Sequence, residues 1–339
     1  MTQARFKVVF AGPLVSFQDL GRIGHLRFGV SPSGPMDRFA HGAAQTMVGN
    51  RTNETAIEVS LGGLILECIE GETTFAAAGG GFSVICGAAQ NEGWIAQRVL
   101  RGDKITLRAG SWGSWAYVAF AGQIEVDTWL GATATHSMSG FGAGALQAGM
   151  EFSVKDAEVR ERREGQYTCP ACAKPASDVH VVIGPQDQHF DPASVQLFTS
   201  QSYALTDAYD RMGVRLTGPT LSLLNALSIP SEPIVRGSVQ VSGDGVPTVL
   251  LADHQTTGGY PKVATVVSRD VDRLTQLRAG DALRFRAISA TKAVQYARDQ
   301  SERDQKALAQ IAEPRATLGE KLLNTNLIGG VVSAIKENP

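Results

Sequence analysis

Val99-Leu-Arg-Gly-Asp-Lys-Ile-Thr-Leu107 and Leu277-Arg-Ala-Gly-Asp-Ala-Leu-Arg-Phe285 carry one pattern, an apolar residue, a turn glycine three positions on and an alternating strand. Leu146-Gln-Ala-Gly-Met-Glu-Phe-Ser-Val154 repeats it. Alternation of period two sends one face of a strand to a core and the other to water. The openings are also alike, Val8-Val-Phe-Ala-Gly-Pro13 and Val181-Val-Ile-Gly-Pro185. Repetition at both ends predicts two related β domains. The expected division is a first domain over residues 1–154 with an N-terminal loop and helix, an exposed linker over 155–177, a second domain over 178–289 and a helical extension over 290–339.

With 339 residues the chain is long enough for two cores. Thirty-seven glycines and few aromatics favour turn-rich β structure, and closely spaced short strands between residues 64 and 130 favour a barrel or sandwich. A net charge of −2 leaves no basic footprint for nucleic acid. No apolar run approaches the ~20 residues of a membrane span, and the first residues enter a strand without a signal-peptide core. A cytoplasmic protein without nucleic-acid or membrane partners is expected. Cys68 and Cys86 lie in strand-like runs and read as buried; Cys169-Pro-Ala-Cys172 has no second ligand pair, so no metal is expected there.

Three helices are predicted: residues 38–48, capped by Asp37 and stopped by Gly49; residues near 191–199, capped by Asp191; and a polar helix over 290–313. An apolar segment over 318–335 follows, which either packs on another subunit or folds back.

The candidate site grows from Leu250-Leu-Ala-Asp-His-Gln-Thr-Thr-Gly-Gly-Tyr-Pro-Lys262. A strand that breaks to present Asp253, Gln255, Thr256, Thr257, Tyr260 and Lys262 has the composition of a binding loop. Gly258 and Gly259 either give a polar hairpin its positive φ or form an anion-accepting nest beside Lys262. In the first half, Gln18, Asp19 and Arg22 share a turn in which Asp19 and Arg22 are close enough to pair. Ser33, Gly34 and Asp37 precede a helix whose N-terminus can accept an anion. Glu58 sits in an apolar strand and needs a partner such as Arg22 or a backbone cap, without which it is partly protonated. Arg211 and Arg215 alternate with apolar neighbours, which places both on one sheet face.

Taken together, Gln18-Asp-Leu-Gly-Arg22, Ser33-Gly-Pro-Met-Asp37, Val48-Gly-Asn50, Glu58-Val-Ser-Leu-Gly-Gly63, Gly184-Pro-Gln-Asp187, Asp210-Arg-Met-Gly213 and Asp253-His-Gln-Thr-Thr-Gly-Gly-Tyr-Pro-Lys262 resemble the A/B family of biotin-dependent carboxyltransferase subunits, also called allophanate hydrolase subunit 2. The resemblance implies a mainly β chain of two related cyclophilin-like β-barrel domains, a few short helices and a helical tail. It also implies a C/D-type partner subunit. On it, the expected function is that of a subunit of an ATP-dependent 5-oxoprolinase, which opens 5-oxoproline to glutamate together with that partner and a separate hydrolytic subunit. The expected cofactor is ATP with Mg in the assembled complex. Carboxyl transfer to a urea-like amide, with biotin on a separate carrier, is the alternative, and a non-catalytic regulatory binding protein is a third.

The expected catalytic residues are Lys262, Arg211, Asp253, Asp37 and Glu58, the cations facing developing oxyanions and the carboxylates handling metal or protons. Gln18, Asp19, Arg22, Ser33, Gly34, Asn50, Gln240, Gln255, Thr256, Thr257, Gly258, Gly259 and Tyr260 are expected to bind substrate or phosphate, Arg22 holding a substrate carboxylate bidentately.

Overall fold

A computed structural model of the chain describes residues 2–224 and 228–315. The apolar segment expected over 318–335 lies outside them.

The N-terminal strands form two sheets. A seven-stranded one runs from Gln123–Glu125 through Glu151–Lys155, Gln3–Ala11, Leu64–Glu70, Lys104–Arg108 and Ser83–Cys86 to Ala89–Glu92. A six-stranded one runs from Gly165–Gln166 through Ile95–Leu100, Glu72–Gly79, Trp115–Phe120 and Ala56–Ser60 to Ser16–Gln18. Phe6, Phe17, Phe75, Phe120 and Phe152 fill the space between them, with the Phe6 and Phe120 rings 4.5 Å apart. Closure of this half comes from packing, since its ladder is shared between two sheets. Cys68 and Cys86 are buried in it, as expected.

The six-stranded sheet is buried on both faces, so Trp115–Phe120 lacks the alternation of a half-exposed strand. Ala116, Val118 and Phe120 face the phenylalanine core, whereas Tyr117 and Ala119 face helix α1 (Arg38–Val48). Ala40, Ala43 and Ala44 of α1 share a cluster with Ala76 and Ala78, small residues that let helix and sheet approach closely.

The C-terminal strands close a barrel: Asp178–Ile183, Lys262–Val266, Ser238–Val241, Pro247–Leu250, Gly213–Thr217, Ser202–Tyr209 and Ala282–Ala287, the last pairing in parallel with the first. The repeated turn behaves alike in all its copies. Gly102, Gly149 and Gly280 adopt φ of 93°, 92° and 87°, a region closed to most side chains. Helix α2 (Pro192–Ser200) starts on Asp191, which accepts from Ala193 N at 3.0 Å.

The sequence had not announced helix α3 (Ser268–Leu274), whose Asp270 and Asp272 are buried. Helix α4 (Ala290–Ala312) lies across it, with Tyr296 donating to Asp270 at 2.8 Å and Arg269 pairing with Asp304 at 2.7 Å. Residues 155–177 are not simply exposed. Gly165–Gln166 extends the six-stranded sheet, Tyr167 and Ala173 are buried, and Arg160 donates to Val48 O at the end of α1. An apolar ring and free strand-edge groups outweigh the polar composition from which exposure was expected. Among the described residues no helix is long and apolar enough to cross a membrane.

Candidate functional site

The apolar cluster around α1 continues without a break into the barrel core. Where the two halves meet, a buried polar network replaces it, centred on Arg211. Its Nε and Nη2 grip Asp253 at 2.9 and 3.0 Å, Nη1 meets Glu58 Oε1, and Nη2 also donates to Gly34 O at 2.7 Å. Burial works against the Arg211 charge, but Asp253 and Glu58 more than offset it, and its pKa lies above the ordinary arginine value. Burial alone would raise the Asp253 carboxyl, and Arg211 reverses that and holds it below the usual range. The other Glu58 oxygen accepts Met36 N and the Tyr117 hydroxyl, each at 2.7 Å. Glu58 was expected to need Arg22 or a backbone cap; it takes the Met36 amide and, in place of Arg22, Arg211 from the other half of the chain.

Arg211 and Arg215 do not share a face. Asp210 Oδ1 accepts Met212 N and Gly213 N in a turn, so Arg211 stands before strand Gly213–Thr217 and points inward, while Arg215 pairs with Asp244 in solvent.

Asp37 caps α1, accepting Ala40 N at 3.0 Å, and its second oxygen takes Gln276 Nε2 at 2.9 Å. Around the start of this helix Met36 N meets Glu58, Asp37 N the Tyr117 hydroxyl and Ala40 N the Asp37 carboxylate, so the chain's own carboxylate stands where an anion had been expected. Burial pushes the Asp37 carboxyl up to about 6. In an unfolded chain it titrates near ~4, so the folded state holds the proton more tightly and stability falls as pH rises through that window. Asp37→Asn keeps a capping oxygen and removes the titration. Chemical denaturation between pH 4 and 7 is expected to show the variant gaining on the wild type as pH rises, by roughly 2–3 kcal/mol at the upper end.

Beside this seam lies a cleft of about 290 Å³. Arg22, Ser31, Trp129, His136 and Phe141 line one side, and Asp253, His254, Gln255 and Thr256 the other. Asp19 builds the near wall by accepting Gly21 N and Thr133 N, both at 2.8 Å; it does not pair with Arg22. The Arg22 guanidinium lies over the Trp129 ring, 5.0 Å from its centroid, and donates through Nη2 to Ala134 O, while the buried Nη1 has no partner. Burial draws its pKa down, opposed by Asp19 and Asp253. The loop after His136, which carries exposed Met138 and Phe141, is tied to the far wall by Ser137 N donating to Asp253 at 2.9 Å. Phe141 stacks on Trp129 at 4.4 Å.

A second hollow lies on the other side of the binding loop, lined in part by Tyr209, Arg215, Gln240, Gln255 and Tyr260. Gln255 lines both and donates to Gln240 Oε1 at 3.2 Å. Thr257–Gly258 pairs instead with Glu232–Pro233, and Lys262 is buried behind that pair. Neither Gly258 nor Gly259 has positive φ, so neither the positive-φ hairpin nor the nest is formed. The space beside Gly258 is taken by side-chain ends: a Cβ there would stand 2.4 Å from Ile234 Cδ1 and 2.7 Å from Gln240 Nε2, so either side chain would have to move.

The rest of the expected set serves other ends. Gln18 donates to Ser16 Oγ at 2.9 Å and Thr135 O at 3.0 Å, its Oε1 left without a partner. Ser33 is buried at φ 55° with its hydroxyl unpaired. Asn50 lies away from the cleft and joins the end of α1 to Phe120 O at 2.8 Å. Asp37, Glu58 and Asp253 spend their oxygens on caps and the arginine, and no group of three or more potential metal ligands occurs among the described residues. The three carboxylates, expected to handle metal or protons, are thus engaged by the chain's own donors. Sequence reasoning missed Trp129, His136 and Phe141, which lie in a loop without regular pattern. It also missed Tyr117, Gln276 and Asp272, whose partners are remote in sequence.

Residues 28–287 match the family described as carboxyltransferase domain, subdomain A and B. The 5-oxoprolinase C-subunit of Haemophilus influenzae is 31% identical over 84% of this chain and 91% of its own length. That of Escherichia coli is 32% identical over 87% and 94%. The crystal structure of the K. lactis urea amidolyase superposes with a TM-score of 0.80 at 26% identity, covering 94% of this chain and 20% of that one. This chain therefore spans about a fifth of the yeast protein.

Proposed function

The chain belongs to the carboxyltransferase subdomain A and B family, and from that premise we propose that it is a subunit of an ATP-dependent 5-oxoprolinase that works with a C/D-type partner subunit and a separate hydrolytic subunit. One observation carries the reading: Arg22 is buried at the cleft with an unpaired Nη1 directed at no protein acceptor. A buried guanidinium with a donor to spare favours a ligand that brings a carboxylate. 5-Oxoproline is a lactam that carries one, and a cleft of about 290 Å³ suits a molecule of that size.

In this reading ATP supplies the activation that a resonance-stabilised lactam lacks, and its site belongs to the assembled complex. This chain's residues bind and orient. Arg22 holds the substrate carboxylate, and Trp129 fixes the plane of the guanidinium. Gln255 and Thr256 face the ring with hydrogen-bonding groups. Arg211 and Glu58 act at one remove, since they hold Asp253, and Asp253 in turn holds the loop that begins at Ser137.

Co-expression with the C/D-type and hydrolytic subunits, followed by an assay of glutamate release from 5-oxoproline with and without ATP, tests the proposal. ATP-dependent release is expected; a well-formed complex that releases none overturns it. The likeness to urea amidolyase favours a second reading, carboxyl transfer to a urea-like amide from biotin on a separate carrier. The apolar wall of Trp129, Met138 and Phe141 suits a ring of that kind. Carboxylation of urea by the same complex, supplied with a carrier whose biotin a separate biotin carboxylase has carboxylated from bicarbonate and ATP, would decide for it.

A further inference from the structure

Lys262 is 4% exposed, yet the acceptors its ammonium reaches are Pro233 O at 3.5 Å and Glu232 Oε2 at 3.6 Å. Strong N–H···O bonds are about 2.9 Å long, and an ammonium has three donors to place, so this buried cation is poorly satisfied. Glu232 differs from it in kind, being 52% exposed on a surface segment. The same Glu232 oxygen is in close contact with Gln186 Nε2. Gln186 is buried and held in register, because its Oε1 accepts Lys262 N at 2.9 Å. Two donors on buried, positioned side chains thus converge on one carboxylate oxygen carried by an exposed side chain. Loosely held pairs at a rim add little to stability, too little to explain why a lysine is buried there.

We propose that Lys262 Nζ and Gln186 Nε2 form an oxyanion-binding site, closed in this state by the chain's own Glu232, which takes a carboxylate or phosphoryl oxygen of a small ligand once that side chain swings into water. The segment need not unfold. Ile234 is buried and its N–H donates to Thr256 O at 3.0 Å, Ile229 N donates to Gly259 O at 2.7 Å, and Ser231, Glu232 and Pro233 stay exposed between these ties. Rotation of one side chain exposes both donors. The inference deepens the functional reading by giving Lys262 a ligand class, but its test needs neither turnover nor a partner.

The test is isothermal titration of the isolated full-length chain with inorganic phosphate and, separately, with 5-oxoproline. All proteins carry Arg22→Ala, so that the cleft does not contribute. Apparent affinity scales with the fraction of open sites, so Glu232→Gln is expected to bind at least one probe about tenfold more tightly than its parent. Lys262→Met is expected to bind neither. A response to phosphate alone identifies a phosphoryl site, and a response to 5-oxoproline alone a carboxylate site. Binding no tighter in Glu232→Gln, or binding retained in Lys262→Met, overturns the proposal. Should the buried methionine prevent folding, the exposed Glu232→Gln substitution decides by itself. Failure of this titration leaves the glutamate-release assay untouched, and the reverse also holds.

Discussion

Arg211→Met is expected to lower unfolding stability by about 3–5 kcal/mol, the usual cost of removing one partner from a buried ion network. The substitution leaves Glu58 and Asp253, both without solvent contact, facing a thioether. Each then needs a proton or water, and neither comes without disturbing the packing around α1 and the barrel. The position differs from an ordinary surface pair in that the arginine bridges segments far apart in sequence, Gly34 and Glu58 on one side and Asp253 on the other. Urea denaturation reads the effect. Arg215→Ala serves as the comparison, since its pair with Asp244 lies at the surface and its loss is expected to leave stability nearly unchanged. Adding Glu58→Gln and Asp253→Asn to Arg211→Met removes both stranded charges and is expected to recover part of the loss, a non-additivity that only residues in one network show. A loss below about 1 kcal/mol for Arg211→Met would mean that water already enters the seam and that the network does not hold the halves together.

The same residues show what a sequence discloses. The turn-and-strand repeat was legible because its signals are local: a glycine at positive φ and an alternating strand lie within nine positions. The α1 boundaries were legible for the same reason, with Asp37 at one end and Gly49 at the other. Short strands between residues 64 and 130 were legible, but the burial of Trp115–Phe120 on both faces was hidden, since that depends on α1 lying across it. Helix α3 escaped because Ser268-Arg-Asp-Val-Asp-Arg-Leu274 reads as a polar turn. Its Asp272 is buried by Arg38 and Arg236, partners that come from other elements. For the site, Arg22 and Asp253, both expected there from residue type, line one cleft. Which member does what was not legible. Gly258 and Gly259 resemble a nest in sequence, yet their backbone is ordinary and the space beside Gly258 is filled by Ile234. Chain order carries φ preferences and periodicity; it does not carry which buried charge finds which partner.

In the reconstituted complex, Arg22→Ala is expected to raise the KM for 5-oxoproline about 100-fold while kcat changes little. Loss of a desolvated charged contact costs about 2–5 kcal/mol, and 1.4 kcal/mol is a factor of ten. The change falls on KM if the carboxylate is held equally in the ground state and the transition state, as befits a group remote from the lactam bond. Arg22→Lys keeps the charge and loses the fork and the plane that rests on Trp129, so it is expected to fall between, nearer to alanine. Since Arg22 also donates to Ala134 O and Trp129 O, a purely structural role must be separated from recognition. 2-Pyrrolidinone, the same ring without the carboxylate, makes the separation. If Arg22 recognises the carboxylate, the wild type discriminates strongly between the two lactams and Arg22→Ala loses most of that discrimination, acting on 2-pyrrolidinone as the wild type does. If Arg22 only supports the loops, both substrates suffer alike and the preference survives. In that case the unpaired Nη1 would be met by solvent or by the partner subunit, and recognition of the carboxylate would pass to another cation of the assembled enzyme.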